Sequence, residues 1–164
     1  MQKPIYNTLA WIVCLAFCGL GVSCSKKETT DSTKQHSFEF NVGYVCEDLQ
    51  KTKEFYLKLL DFEIAFENEF YVLMQSKEIP SQKISFLEKN HPTQNKIFQA
   101  KYSGKGSYLT VEVPSLQKIY DKAKNLNLQI AFPPKQEVWG DYHFAVVDPN
   151  GLGIDFVEFR GKQP

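Results

Sequence analysis

The side chains of this sequence that could do chemistry fall on alternating positions of short extended segments. Glu39, Asn41 and Gly43 share one side of residues 38–45, with Phe38, Phe40, Val42 and Tyr44 on the other. Tyr108, Thr110 and Glu112 share one side of residues 108–113, with Leu109, Val111 and Val113 opposite. Asp155 belongs to the polar face of a later strand. Period two marks a half-buried strand. The carboxylates of Glu39, Glu112 and Asp155 on such faces favour a cationic or hydrogen-bond-donating ligand. The same alternation fits a face that meets water and a face that lines a cleft.

Other chemistries find little support. No Ser/His/Asp or Cys/His spacing stands out, and Gly104-Lys105-Gly106 lacks the full phosphate-cradling pattern. His91 beside Pro92 reads as an exposed loop residue, and His143 near a sheet end as a structural group. Cys46 has no activating neighbour in sequence and reads as a small, partly buried strand-end residue. Lys and Arg balance Asp and Glu at 19 each, so no basic excess serves phosphates and nucleic acid is not an expected partner.

The elements that carry these residues occur twice. A strand ending near Val45 leads through Asp48, an N-cap type, into a helix to about Leu60 with Leu49, Tyr56, Leu59 and Leu60 on one stripe. Residues 62–65, 70–74 and 83–87 read as three short strands. Residues 89–106 form a long connection. Strand 108–113 then leads through Ser115 into a helix over 116–125, with Leu116, Ile119, Tyr120 and Ala123 at helical spacing. Residues 128–132 read as a strand ended by Pro133-Pro134, and 142–147 and 152–159 as strands around Asp148-Pro149-Asn150-Gly151, a strong turn. Sliding Asn41 onto Tyr108 aligns Leu49-Gln50-Lys51 with Leu116-Gln117-Lys118, as an internal repeat would. The fold class is α+β, and each half is a βαβββ module. With 43% apolar and 14% aromatic residues, the chain has enough for a packed core and is not a disordered one.

The N-terminus stands apart. Residues 9–22 are uncharged and mostly apolar, too short for a spanning helix and the right length for a signal-peptide core. Gly21-Val22-Ser23-Cys24, followed by a polar stretch, resembles a bacterial lipobox, with Gly21 where that motif usually has Leu. The resemblance implies a lipoprotein signal peptide over 1–23, lipidation of Cys24, and localisation in a bacterial cell envelope, anchored to a membrane. Residues 24–36 then read as the lipidated Cys and a polar tether, and 37–162 as the domain. Only Cys46 would remain as a thiol, which excludes an internal disulfide.

Several motifs in chain order resemble the vicinal oxygen chelate superfamily, the glyoxalase / bleomycin resistance protein / extradiol dioxygenase group. They are residues 41–45 followed by Asp48-Leu49, then Phe55-Tyr56 with Leu59-Leu60-Asp61-Phe62, then Trp139-Gly140, Phe144 and residues 148–151. The resemblance implies two tandem βαβββ modules, about 37–89 and 105–160, forming a curled mixed sheet around a cleft. It favours the cleft over the water-facing reading, with Glu39, Asn41, Ser85, Tyr108, Thr110, Glu112, Trp139 and Asp155 as cleft residues. Trp139 would stack on a ligand, although a core or interface Trp fits the same position. Members often dimerise, so a homodimer is an expectation too. In metal-using members four donors, typically His or Gln, Glu, His and Glu, hold one divalent ion. By spacing their places here go to Asn41, Ser85, Tyr108 and Asp155, of which only Asp155 is a good ligand. Small-molecule binding without a cofactor is therefore expected. The alternative is a lyase, isomerase or dioxygenase with one divalent ion at an altered site, on Asp155 with Glu39 or Glu112. Whether the chain is an enzyme stays open at this point.

Overall fold

Hydrophobic periodicity of two and then of 3.6 produces the same run of elements in both halves of the chain. The structure, a computed structural model, describes residues 40–161. The stretches expected to be a signal peptide and a polar tether, with Cys24, Phe38 and Glu39, lie outside the described residues. The first module is β1 (Val42–Cys46), α1 (Leu49–Leu59), β2 (Phe62–Glu67), β3 (Tyr71–Ser76) and β4 (Lys83–Glu88). The second is β5 (Tyr108–Glu112), α2 (Leu116–Asn125), β6 (Ile130–Gln136), β7 (Asp141–Val147) and β8 (Gly153–Phe159). Each module makes its own four-stranded mixed sheet. In sheet A the order is β1-β4-β3-β2, and in sheet B it is β5-β8-β7-β6. The first and last strands of each module pair in parallel, and the other pairs are antiparallel.

One face of each sheet packs on helices. Val72, Met74, Ile84 and Phe86 of sheet A join Tyr56 and Leu59 of α1, while Phe144, Val146, Ile154 and Phe156 of sheet B join Leu116 and Ala123 of α2, all in one continuous core. The alternate residues point to the other, open face.

The two helices are capped differently although Asp48 and Ser115 are repeat-equivalent. Asp48 accepts from the Lys51 amide at 2.9 Å, and its carbonyl receives the Thr52 hydroxyl at 2.7 Å. Ser115 has the N-cap backbone conformation but makes no side-chain cap bond. Glu158 of β8 supplies the acceptor instead, taking the Leu116 amide at 2.7 Å.

Two boundaries differ from the sequence expectation for physical reasons. Pro133-Pro134 was expected to end a strand, yet β6 runs through both. β6 is an edge strand, and its pairing with β7 jumps from Phe132 to Lys135, so neither proline has to supply a ladder N–H. β1 starts at Val42 rather than near Phe38, because its partner β4 pairs only from Ile84 onward. Phe40 is left 81% exposed instead of half-buried.

The modules are bolted together by the turn between β7 and β8. Asp148 is buried, and its Oδ2 accepts from the Tyr56 hydroxyl of α1 at 3.2 Å. Asn150 donates from Nδ2 to Thr52 Oγ1 at 3.1 Å and accepts the Glu47 amide at 3.2 Å. Burial pushes the Tyr56 hydroxyl well above its ordinary pKa, and the Asp148 charge adds to the shift, so it remains a donor.

Candidate functional site: two cavities on the open faces

The open face of sheet A is floored by alternate residues of its strands. Gly43 of β1 stands beside Ser85 of β4, whose hydroxyl donates to Asn41 Oδ1 at 3.1 Å. A Cβ on Gly43 would come within 2.9 Å of Ser85 Oγ, so glycine keeps this floor clear. The long connection of residues 89–106 is not a loose loop. Its Tyr102 amide donates to the Val45 carbonyl at 2.8 Å, and Asn95 caps a short 3-10 turn at Lys96–Phe98. His91, expected to be exposed, is half-buried and stacks on Phe70 with ring centroids 3.8 Å apart. Connection and floor border an open cavity of about 540 Å³. Val45, Phe70, Tyr71, Leu87 and Phe98 make its apolar and aromatic wall, and Asn68, Ser85 and Gln94 supply polar groups. No side chain lining it is charged.

Sheet B is different in character. His143 of β7 sets Nδ1 3.0 Å from Asp155 Oδ1 of β8, and Nε2 faces Glu137 Oε1 at 3.5 Å. Phe132 meets the His143 ring edge-on at 4.9 Å. Lys135 pairs with the same Glu137 oxygen. Its hydrogen bond holds the Glu137 carboxyl below the usual range, with a smaller contribution from His143. Burial pushes the Asp155 carboxyl up, an effect that His143 partly offsets. His143, Glu137, Lys135, Phe132, Pro133 and Pro134 line a second cavity of about 450 Å³.

The expected cleft residues divide between the sheets. Asn41 and Ser85 meet on sheet A, next to the uncharged cavity. Thr110 pairs with Asp155 in the β5–β8 ladder of sheet B, and Tyr108, two residues along on the same face, is 70% exposed. Among the described residues, no hydrogen bond joins the Asn41–Ser85 pair to Tyr108, Thr110 or Asp155. Glu112 and Thr110 border a third, smaller cavity of about 320 Å³, together with Val42, Leu60, Phe62 and Ile84. Trp139 stands on the turn after β6, half exposed, with its indole N–H donating to Asp141 Oδ2 at 2.9 Å.

Cys46 is fully buried at the end of β1, and burial pushes its thiol up to about 11, which keeps it protonated and inert at neutral pH.

Residues 40–156 match the model of the Glyoxalase/Bleomycin resistance protein/Dioxygenase superfamily. The chain belongs to that superfamily. Solved structures agree at the level of fold. A glyoxalase/bleomycin resistance protein/dioxygenase from Nocardioides is 16% identical with a TM-score of 0.63, covering 78% of this chain and 88% of its own. The bleomycin resistance determinant encoded on transposon Tn5 is 20% identical with a TM-score of 0.52, over 75% of this chain and 98% of its own. A bleomycin-binding protein complexed with bleomycin is 20% identical with a TM-score of 0.51, over 74% and 98%. No curated protein matches the chain.

The metal chemistry of the superfamily does not fit the donors present. Asn41 and Ser85 satisfy each other, Asp155 is engaged by His143, and Tyr108 is turned to solvent. Among the described residues, no three His, Cys, Asp or Glu side chains are grouped to hold an ion.

Glu137 and the aromatic wall of sheet A were not among the residues singled out from sequence, and His143 was read there only as a structural group. His143 had a usable signal. Counting outward from the β7–β8 turn pairs Val147 with Gly153 and His143 with Val157, which sets His143 diagonal to Asp155 on one face. Phe98 and Gln94 had none, because the course of a long connection is set by tertiary contacts.

Proposed function

We propose that this chain is an exported, lipid-anchored member of the superfamily that binds a small molecule without metal, in the cavity on the open face of sheet A. One observation carries the reading: a cavity of about 540 Å³ with aromatic and apolar walls and three uncharged polar side chains. This is the usual size and make-up of a small-molecule site. With no charged lining, it selects a neutral, largely apolar ligand, since burying an unpaired charge there is costly. Binding a small molecule, as the name of the bleomycin-binding neighbour describes for that protein, needs no more than such a pocket.

The neutral fluorophore N-phenyl-1-naphthylamine tests the site. Saturable enhancement is expected with the wild type. Leu87→Glu, which sets a carboxylate in the apolar wall, is expected to weaken binding by roughly tenfold or more. Phe98→Ala, on the exposed roof, is expected to weaken it by roughly threefold with unchanged circular dichroism. Equal binding by all three proteins would remove the cavity from the reading.

A second reading, a metal-dependent lyase, isomerase or dioxygenase, rests on Asp155 standing where the superfamily places a ligand. One equivalent of divalent ion in the purified protein, lost in Asp155→Ala, would favour it over metal-free binding. The homodimer is part of the proposal, supported by exposed Val138, Trp139 and Phe159. Sedimentation of the same sample at monomer mass would remove it.

Export rests on the apolar run and on Cys24 after small residues. Metabolic labelling with a fatty acid in a bacterial host is expected to mark the wild type and not Cys24→Ser. Label retained by the variant would overturn the anchor.

A further inference from the structure

The polar residues around the sheet A cavity differ in what the chain already asks of them. Asn68 opens the turn between β2 and β3. Its backbone amide donates to the Tyr71 carbonyl at 2.9 Å, and its Oδ1 accepts the Phe70 amide at 3.0 Å. That second bond fixes which way the carboxamide points. Nδ2 is left as a donor, with no hydrogen-bond partner among the described residues. An aspartate would serve the same turn. What the amide adds is a donor without a charge.

Gln94 is its counterpart on the long connection. Its backbone is held on both sides, by its own amide on the His91 carbonyl at 3.0 Å and by Gln99 Nε2 on its carbonyl at 2.9 Å. Nε2 donates to Thr93 Oγ1 at 3.3 Å, and Oε1 is left as an acceptor with no partner among the described residues. Ser85 on the floor is already occupied with Asn41, which leaves the two rim amides to read a ligand. They border the cavity beside the rings of Phe70, Tyr71 and Phe98.

Water serves the rim atoms in the free protein, since Asn68 is exposed and Gln94 half-buried. A ligand gains there by replacing that water with matched groups while the rings take up an aromatic body. A ketone satisfies only the donor. A carboxylate also satisfies only the donor, and it brings a charge that nothing in the lining pairs. A carboxamide or lactam carries a carbonyl and an N–H on one flat, neutral group and satisfies both amides.

We infer that the sheet A cavity is a site for an aromatic carboxamide or lactam. The ligand carbonyl accepts from Asn68 Nδ2, its N–H donates to Gln94 Oε1, and its ring lies among Phe70, Tyr71 and Phe98. The inference rests on the reading of this cavity as the binding site, and it narrows the neutral ligand proposed there to one chemical class.

Equilibrium dialysis of the purified full-length protein against 2-naphthamide, 2-acetylnaphthalene and 2-naphthoate tests it. The amide is expected to bind roughly fivefold more tightly than the ketone, the effect of one net hydrogen bond, although apolar burial alone favours the ketone. The naphthoate is expected to bind roughly tenfold or more below the amide. Gln94→Met should bring the amide down to the ketone and leave the ketone unchanged. Asn68→Asp keeps the oxygen that accepts from Phe70 and removes the donor, so amide and ketone should both weaken by roughly fivefold. Circular dichroism should be unchanged in both variants. Equal binding of amide and ketone by the wild type overturns the inference. So does a Gln94→Met that weakens both alike, since Gln94 would then be a wall and no more. In either case saturable N-phenyl-1-naphthylamine binding keeps the cavity as a ligand site. If neither the naphthyl probes nor the fluorophore binds, the cavity reading falls and the inference falls with it.

Discussion

Asp148→Ala is expected to cost the fold about 4 kcal/mol, read as a lower urea midpoint at unchanged slope. The carboxylate is buried at 5% exposure and works through both oxygens. Oδ1 accepts the amides of Asn150 and Leu152, each at 2.8 Å, which shapes the β7–β8 turn. Oδ2 accepts the Tyr56 hydroxyl and Asn150 Nδ2, each at 3.2 Å, which joins that turn to α1 of the other module. Alanine removes all four bonds and leaves the Tyr56 hydroxyl in the core without a partner. Hydrogen bonds to a charged group are worth about 1.5–3 kcal/mol each, but the turn amides recover part of theirs from water, so the sum falls short of four full bonds. Tyr56→Phe removes only one donor and is expected to cost about 1 kcal/mol. In the double variant the orphaned hydroxyl is gone, so the two losses should add to less than their sum. Asp148→Ala within 1 kcal/mol of wild type would show that the turn does not bolt the modules.

The second large effect belongs to Gly140. Its φ is +116°, a region that residues with a Cβ rarely adopt. An added Cβ would also sit 2.7 Å from Phe159 Cε2 and 2.8 Å from the Gly161 carbonyl carbon and oxygen. The Phe159 ring can swing aside, but the Gly161 backbone is held close because the Arg160 amide donates to the Gly140 carbonyl at 2.9 Å. Gly140→Ala is therefore expected to destabilise by about 3 kcal/mol, combining backbone strain with overpacking. The same turn fixes Glu137, whose amide donates to the Asp141 carbonyl at 2.7 Å. N-phenyl-1-naphthylamine binding on sheet A should persist in the folded fraction of this variant. A loss under 1 kcal/mol in denaturant titration would contradict this account of the Trp139-Gly140 pair as backbone chemistry.

Local patterns carried much of the architecture. The helix over 116–125 was legible to the residue, because Leu116, Ile119, Tyr120 and Ala123 recur at helical spacing between a cap residue and a polar end. The Asp148-Pro149-Asn150-Gly151 turn was legible because its φ requirements are met by residue type alone. The tolerance of Pro133-Pro134 within β6 was not legible. It depends on β6 being an edge strand, and strand order is a property of the assembled sheet. The exchange of a Ser115 cap for Glu158 is similar, since donor and acceptor lie 42 positions apart.

By itself, then, the sequence determined the two βαβββ modules, their faces and the superfamily to which they belong, because periodicity, caps and turns act over a few residues. It also carried the poor metal chemistry of Asn41, Ser85 and Tyr108, since donor strength is a property of the side chain. Only the tertiary structure decided which polar residues act together. It paired Asp155 with His143, set Phe70 and Phe98 beside Tyr71 and Leu87 of sheet A, and turned Asp148 inward to Tyr56, 92 positions away. Those choices rest on strand register and on the docking of a long connection, which are settled by burial and hydrogen-bond satisfaction across the whole domain rather than by neighbours in the chain.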